Sequence, residues 1–499
     1  METRLVKENG QINVLFIAAE AEPFVKIGGL GDVAGSLPKA ILEFQKEHNF
    51  ASRFDIRLVL PLHSLIRERD FSLTKIGKFN VASRSDLLNC DVFFTDKYDV
   101  PTYFLEGKYI DGNAPVYHAD PILDGYKYVF FSVCCLELAR FLAWPIDILH
   151  ANDWHTSPAI YALKTRYKGD AFFSRTRSIL TMHNLPFMGW GAQKALTDFS
   201  MPPSRSKLLP AWARHTPLPL GLLKADRIVT VSPTYAKEIM TPEFSCDLEN
   251  LLTANQKKVS GILNGIDTKI WDPSTDSLIT SKFDQESLPK KVENKKKLIS
   301  IYNLQSDLSI PLLTLISRMD QQKGIDIALK GLKKCISQNW QVIILGTGNP
   351  DIEKMATDLA AQFPERIRVI NKFDARLAHL LYAGSDIFLM PSRYEPCGLS
   401  QMIAMKYGTV PVARRTGGLA DTITDYNEDP ELATGFLFQT AEVNSFSTTL
   451  KKSLKIFQNK RSWVNIQKNG MGKNFSWDTS ADTYIKLYSS LVKKNSSLE

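Results

Sequence analysis

Lys26, Gly28, Gly29 and Gly31 follow closely on the apolar run Asn13–Ala18 and precede a helical pattern with Leu37, Ala40, Ile41 and Phe44 on one face. Glycines packed this densely let the backbone approach a ligand, and a helix amino terminus offers N–H groups and positive partial charge to phosphate. Lys26 adds a formal charge. Pro38 suits a helix's first turn, which would make Ser36 the cap. The competing account is a plain tight turn with Lys26 in water, because the loop is neither a Walker loop nor a GxGxxG fingerprint.

Other chemistry-bearing residues also stand where apolar runs end. Asn152-Asp153-Trp154-His155 follows Asp147–His150 and sets a carboxylate beside aromatic rings, a combination that binds sugars through hydroxyls and C–H faces. His183 and Asn184 close Ser178–His183, and Asn264 sits in the turn Asn264-Gly265. His150 and His155 read more simply as hydrogen-bonded structural histidines. Arg318 ends the run Leu312–Ser317 and Lys323 follows five residues later; isolated residues of these types would be solvated surface cations. Asp386–Met390 leads to Glu395, framed by Pro396 and Gly398, where the N–H groups of Gly398, Leu399 and Ser400 would face a ligand ahead of a helix beginning near Gln401. Cys397 has no neighbouring histidine base and reads as a contact, not a nucleophile. Thr416, Gly417 and Gly418 make a second glycine turn after Val410–Ala413. Phe373, taken on its own, reads as a core aromatic.

These positions imply a scaffold. Short β-branched runs alternate with helix-period segments along almost the whole chain, the pattern of parallel sheets covered by helices. Further runs at Asp55–Leu60, Arg227–Val231, Gln341–Leu345 and Arg366–Ile370 complete two doubly wound α/β units. Thr268–Pro311 is the expected linker, and its basic run Lys290, Lys291, Lys295, Lys296 and Lys297 the expected solvated face. Ligands in doubly wound folds bind at the carboxyl ends of the strands, so both units are expected to turn those ends to a central cleft. The stretch Thr479–Val492 reads as a helix packing through Tyr484, Ile485, Leu487, Tyr488 and Leu491.

Composition narrows the class. At 499 residues, with 44% hydrophobic and 23% charged residues, the chain exceeds the size of one core and matches an ordinary globular protein. A formal charge of +8 from 61 basic and 53 acidic residues is a small excess, so a nucleic-acid partner is not expected. Six cysteines without a CxxC pair suggest neither a zinc ribbon nor a disulfide framework. Met1 to Gly10 is short and charged, unlike a signal segment, and no apolar stretch approaches the ~20 residues of a membrane span. A cytoplasmic protein with no membrane partner is the expectation, a plastid location with the transit peptide already absent being the alternative.

The loop Lys26-Ile27-Gly28-Gly29-Leu30 resembles the Lys-x-Gly-Gly-Leu signature of ADP-glucose-dependent glycogen and starch synthases. The likeness continues through His150–Thr156, Thr181–Leu185, Thr230–Tyr235, Gly261–Asp267, Ser317–Gly324, Pro391–Leu399 and Arg415–Leu419. It implies a retaining transferase of the GT-B class, with residues 1–262 as an acceptor-side Rossmann-like domain joined by helix 477–499, and 263–476 as the nucleotide-sugar domain. It also implies that His183 lies against the donor glucose, that Glu395 lies near the reacting sugar, and that Asp153 and Asn264 bind sugar. Thr416, Gly417 and Gly418 would approach sugar and phosphate, while Phe373 would stack on adenine. Arg318 and Lys323 would neutralise the departing diphosphate, so that neither metal nor cofactor is needed. The substrates would be ADP-glucose and an α-1,4-glucan; a UDP-glucose transferase of the sucrose or trehalose type and a silent glucan-binding relative are the rivals. A dinucleotide oxidoreductase is disfavoured, because no GxGxxG with a downstream acidic residue follows any strand. Two departures stand out. Phe244–Leu252 lacks the glycines of the family's Gly-Leu-x-Gly-Leu-Leu turn, and Met188–Leu223 is irregular. Both are expected to shape acceptor entry.

Overall fold

The computed structural model describes residues 10–48, 50 and 52–496; most of the charged Met1 to Gly10 segment lies outside them. The chain divides into two compact units, one of Met1–Val231, Ala236–Gly265 and Trp477–Glu499, the other of Ser232–Tyr235 and Ile266–Ser476.

Among its described residues the first unit holds nine strands: β1 Gln11–Ile17, β2 Arg53–Pro61, β3 Thr74–Ala82, β4 Leu87–Thr95, β5 Thr102–Gly107, β6 Ile148–Asn152, β7 Arg177–Met182, β8 Arg227–Thr230 and β9 Val259–Gly261. Their spatial order is β3-β4-β5-β2-β1-β6-β7-β8-β9. β1 lies parallel to both β2 and β6, and its side chains from Ile12 to Ile17 are buried, as expected of a strand covered on both faces. The sheet is parallel as expected except at one edge, where β3 and β4 pair antiparallel, as do β4 and β5. β3 exposes most of its residues, so it lacks the continuous apolar run by which buried strands are recognised.

The second unit holds β10 Leu312–Ile316, β11 Gln341–Leu345, β12 Ile367–Ile370, β13 Ile387–Met390, β14 Val410–Arg414 and β15 Phe436–Phe438. All run parallel, in the order β12-β11-β10-β13-β14-β15. This is the doubly wound 3-2-1-4-5-6 arrangement, whose direction of winding reverses between β10 and β13. In the first unit the reversal falls between β1 and β6. The helix Asp478–Ser496 belongs to the first unit, where Tyr488 Oη lies 2.6 Å from His150 Nδ1 and Thr181 Oγ1 lies 2.7 Å from His150 Nε2. His150 is thus structural.

Two local expectations fail. The first helix spans Gly29–Glu47 with Gly28 at its cap, so Pro38 lies in the interior and Ser36 caps nothing. The proline forfeits one backbone hydrogen bond that the buried face of Leu30, Val33, Ala34, Leu37 and Ile41 offsets. Nor is the basic run within Thr268–Pro311 solvated throughout, for only Lys290, Lys296 and Lys297 are exposed. Its helix Lys291–Ile301 buries Lys291 and Lys295 within the second unit. Lys291 Nζ donates to the carbonyls of Tyr382, Ala383 and Tyr407 and to Thr409 Oγ1, and burial pushes its pKa down to about 7. Lys295 Nζ donates to the carbonyls of Leu308 and Ile310 and, at 2.7 Å, to Asp386 Oδ2, which also accepts from the N–H of Leu312. This amine ties the start of β10 to the start of β13. Lys295→Met should therefore leave Asp386 as an uncompensated buried charge and cost about 3 kcal/mol of the second unit's stability, read as an earlier urea transition. An unchanged transition would show that the amine ties nothing.

Candidate active site

In the first unit the loop after β1 is organised by Glu20, which sequence reasoning did not single out. Its buried carboxylate accepts from the N–H groups of Ile27 and Gly28 and from Tyr117 Oη at 2.9 Å. Burial raises its pKa more than these donors lower it. Lys26 Nζ lies 2.6 Å from Asp32 Oδ1 and remains partly exposed. Neither left-handed backbone nor crowding requires glycine at 28 or 29: Gly28 is extended, a side chain there would meet only Glu20 Oε1 at 3.6 Å, and one on Gly29 would meet nothing within 4 Å. The plain-turn account does not explain them. Open space over a helix's first turn is what close approach of a ligand needs.

Across the reversal point, β6 ends in Asn152 and Asp153 follows with a left-handed φ of +56°, a conformation that asparagine and aspartate tolerate better than most residues. The turn sends the Asp153 carboxylate to the end of β7, where Oδ1 accepts from the N–H of His183 at 2.7 Å and of Asn184 at 3.4 Å. Burial pushes Asp153 up to about 7, the two backbone donors lowering it and Glu20 adding to the rise. Desolvation drives His183 down to about 3, so its ring is neutral near pH 7. Asn152, also missed from sequence, settles the tautomer. Its Nδ2 donates to the carbonyl of Ile17, which turns Oδ1 towards His183 Nε2 at 3.0 Å. Nε2 must then carry the hydrogen, leaving Nδ1 as a lone-pair acceptor. His155 packs against the rings of Trp154, Tyr128 and Tyr117. Asn264, half-buried, lies three residues beyond the end of β9.

In the second unit the reversal point carries the charged residues. Arg318 and Lys323 lie on the loop after β10, Glu395 on the loop after β13. Lys323 Nζ meets Glu395 Oε1 at 2.9 Å and Oε2 at 2.7 Å, and Ser392 Oγ donates to Oε2. Arg318 is largely exposed, its guanidinium 3.4 Å from Asp320, whose carboxylate also receives the N–H of Lys323. The two loops are stitched by the N–H of Arg393 to the carbonyl of Gln322 and by the paired Arg393–Asp326 hydrogen bonds at 2.8 and 2.9 Å. Gly324 takes a φ of +64° against the carbonyl of Pro391, where a Cβ would collide at 2.0 Å. The third loop closes on the second, the N–H of Gly418 reaching the carbonyl of Glu395 at 3.1 Å. Thr416 and Cys397 are buried beneath these turns, and Gly398, with φ +71°, precedes Leu399 and Ser400 at the start of helix Ser400–Lys406. Phe373 is 86% exposed, which removes the core account.

The structure thus brings Lys26, Gly28, Gly29, Asp153 and His183 to the reversal point of one sheet, with Glu20 within electrostatic reach of Asp153. It brings Lys323, Glu395, Cys397, Thr416, Gly417 and Gly418 to that of the other. Among the described residues no three His, Cys, Asp or Glu side chains group as a metal site would require, and no helix is long and apolar enough to cross a membrane.

Two doubly wound units with charged and polar residues at their reversal points have the architecture of the GT-B class of glycosyltransferases. Comparison with known proteins narrows this. Residues 13–254 match the family model for the starch synthase catalytic domain, and residues 302–469 that for glycosyl transferases group 1. The chain is 34% identical over 489 residues to the glycogen synthase of Bacillus cereus (strain B4264), covering 97% of this chain and 100% of that one. It is 35% identical over 491 residues to that of Streptococcus pneumoniae (strain Hungary19A-6), covering 96% and 100%. The solved catalytic domain of starch synthase IV from Arabidopsis thaliana, bound to ADP and acarbose, matches with a TM-score of 0.85 and 30% identity, over 97% of this chain and 100% of that one. Sucrose-phosphate synthase from Thermosynechococcus elongatus shares the fold, with a TM-score of 0.60 at 16% identity over 97% of this chain and 100% of that one. The chain belongs to the glycogen and starch synthase family of glycosyltransferases.

Two outcomes follow from the geometry. Asp153 holds its proton more tightly folded than unfolded, so ionising it in the native state costs stability: the penalty is absent below about pH 4, grows as pH rises and is complete above about 7. Asp153→Asn removes that term, at about 1.4 kcal/mol per tenfold change in proton affinity. Relative to the variant, the wild type should weaken between pH 4 and 7 in urea titrations, and a constant difference would contradict the assignment. Lys323→Ala abolishes a cation and also strands the buried Glu395. If the two act as one unit, Lys323→Ala, Glu395→Gln and the double variant should each lose about 100-fold or more in kcat, with the double far from additive. Simple additivity would separate their roles.

Proposed function

We propose that this chain transfers glucose from ADP-glucose to the non-reducing end of an α-1,4-glucan with retention of configuration, releasing ADP. The observation that carries the reading is the Lys323–Glu395 pair at the reversal point of the second sheet, beside the exposed Arg318. The bond from glucose C1 to the β-phosphate oxygen breaks while a bond from C1 to the acceptor's 4-oxygen forms. The acceptor's hydroxyl proton passes to the departing diphosphate, with attack on the face that the diphosphate leaves.

Arg318 and Lys323 are fixed cations for the charge that grows on that diphosphate, and groups aimed at developing charge lower the barrier more than they tighten ground-state binding. In this reading they take the place of a metal, and no cofactor enters. Glu395 holds glucose hydroxyls, with the N–H groups of Gly398, Leu399 and Ser400 and the turn Thr416–Gly418 around sugar and phosphate. Phe373 offers its exposed ring to adenine. On the acceptor side Asp153 and Asn264 bind sugar hydroxyls, and neutral His183 meets the donor glucose without adding a positive charge that would oppose an oxocarbenium-like centre. Lys26 meets phosphate oxygens from the glycine loop. That none of the six cysteines is disulfide-bonded fits a cytoplasmic location.

ADP-bearing starch synthase IV at 30% identity supports the donor, and the curated glycogen synthases support the acceptor. The purified chain, given radiolabelled ADP-glucose or UDP-glucose with a glycogen primer, should incorporate α-1,4-linked glucose from ADP-glucose at a rate at least about tenfold higher, a preference worth about 1.4 kcal/mol in the transition state. Preference for UDP-glucose would favour the sucrose- or trehalose-type alternative, and no incorporation from either would sink the enzymatic reading.

A further inference from the structure

The connection between β7 and β8 displays aromatic side chains that the site described above does not use. Trp190 is 49% exposed and Phe187 52% exposed, and the half-exposed Trp212 stands beside Trp190 with ring centroids 4.9 Å apart and planes tilted by 41°. Indoles are ordinarily buried, so an exposed Trp190 held against the half-buried Trp212 points to a binding surface.

That exposure has a visible cause. Gly189 and Gly191, on either side of Trp190, take φ of +84° and +89°. A Cβ on Gly189 would lie 2.6 Å from the Trp154 ring and 2.8 Å from Pro217, and one on Gly191 would lie 2.6 Å from the Pro121 backbone. The backbone is thus pressed onto the body of the unit at both flanks while the intervening side chain is held outward. Trp212 sits on the short helical turn Ala211–His215, anchored where Thr216 Oγ1 donates to the Trp212 carbonyl at 2.8 Å.

We propose that Trp190 and Trp212 form a stacking platform for the part of an α-1,4-glucan chain that lies beyond the reacting residue, with the exposed Phe187 three residues before Trp190 in the same connection. The platform is continuous with the sugar-binding turn, since Gly189 rests on Trp154, the residue next to Asp153. A glucan carries no charge and presents alternating C–H faces and hydroxyl edges, so flat aromatic faces suit it, and short side-chain torsions keep the cost of ordering low. The inference rests on the glucan-extending reading given above.

Affinity electrophoresis of the full chain through gels with and without glycogen tests the platform without nucleotide sugar or turnover. The Trp190→Ala/Trp212→Ala double variant should lose about tenfold in glycogen affinity, the loss of two ring contacts. Its KM for glycogen should rise in proportion while kcat and the KM for ADP-glucose stay within about twofold. Trp190→Phe should restore much of the retardation. In the wild type, maltoheptaose should slow oxidation of Trp190 and Trp212 by N-bromosuccinimide, mapped by mass spectrometry, a result that does not depend on a variant folding. Unchanged retardation in a folded double variant, or oxidation indifferent to maltoheptaose, would overturn the proposal. So would a change in sedimentation with unchanged glycogen binding, which would make the patch a protein interface. A wild type that binds glycogen through these rings yet transfers no glucose would instead defeat the catalytic reading and leave the platform standing.

Discussion

Right-handed crossovers are the constraint on which the rest of this structure depends. A parallel strand can be followed by a helix on either face of its sheet, but only with one hand of connection, so a sheet wound outward in both directions from its middle must contain one adjacent pair of strands whose following loops diverge. In the first unit that pair is β1 and β6, and in the second it is β10 and β13. Lys26 and Asp153 flank the first gap, Lys323 and Glu395 the second. Gly324 is required by its left-handed backbone and its seating on Pro391, but nothing local requires Gly28, Gly29 or the charged residues there. The topology opens a crevice, and the residues that occupy its rims account for the chemistry.

Electrostatics differ between the two crevices. In the first unit the carboxyls of Glu20, Asp32 and Asp153 all have raised pKa values, burial being the leading cause in each, and the nearby histidines are held neutral by the same burial. Such a region favours polar, uncharged ligand groups, and Lys26 already leans on Asp32. In the second unit the half-buried Lys323 pairs with the buried Glu395, and the exposed Arg318 lies against Asp320 on the same loop. One crevice is lined mainly by neutral polar groups with Lys26 as its cation and the other by cations and a buried carboxylate, a division set by burial as much as by residue type.

Much of this was readable from sequence because buried parallel strands have no polar face. β1, β2, β6, β7, β8, β10, β11, β12, β13 and β14 each coincide with an apolar run, and the site residues were found where those runs stop. What escaped notice lacked that signal. β3 and β4 are half-solvated, and the lysine-rich helix looked like surface because ammonium groups at Lys291 and Lys295 are satisfied by carbonyls distant in sequence, which composition cannot reveal. Glu20 and Asn152 act through partners brought close only by folding, Ile27 and Tyr117 for one and Ile17 and His183 for the other. Pro38 misled because burial of a helix face outweighed a rule about helix ends. The family resemblance supplied roles for Thr416, Asn264 and Phe373 that neither spacing nor composition would have suggested.

The Lys323–Glu395 pair also explains why two loops, rather than two residues, make up the second crevice. A buried carboxylate needs a cation, and an amine near a departing diphosphate needs a carboxylate to fix its position; each meets the other's requirement only if the loops after β10 and β13 keep register. The Arg393–Asp326 hydrogen bonds, the Arg393 to Gln322 backbone contact and the close seating of Gly324 on Pro391 hold that register. A ligand that engages Lys323 through phosphate thereby alters the field at Glu395, and one that engages Glu395 through hydroxyls alters the field at Lys323. Under the proposed function, recognition of the two ends of a sugar nucleotide would be coupled through a single ion pair less than 3 Å long.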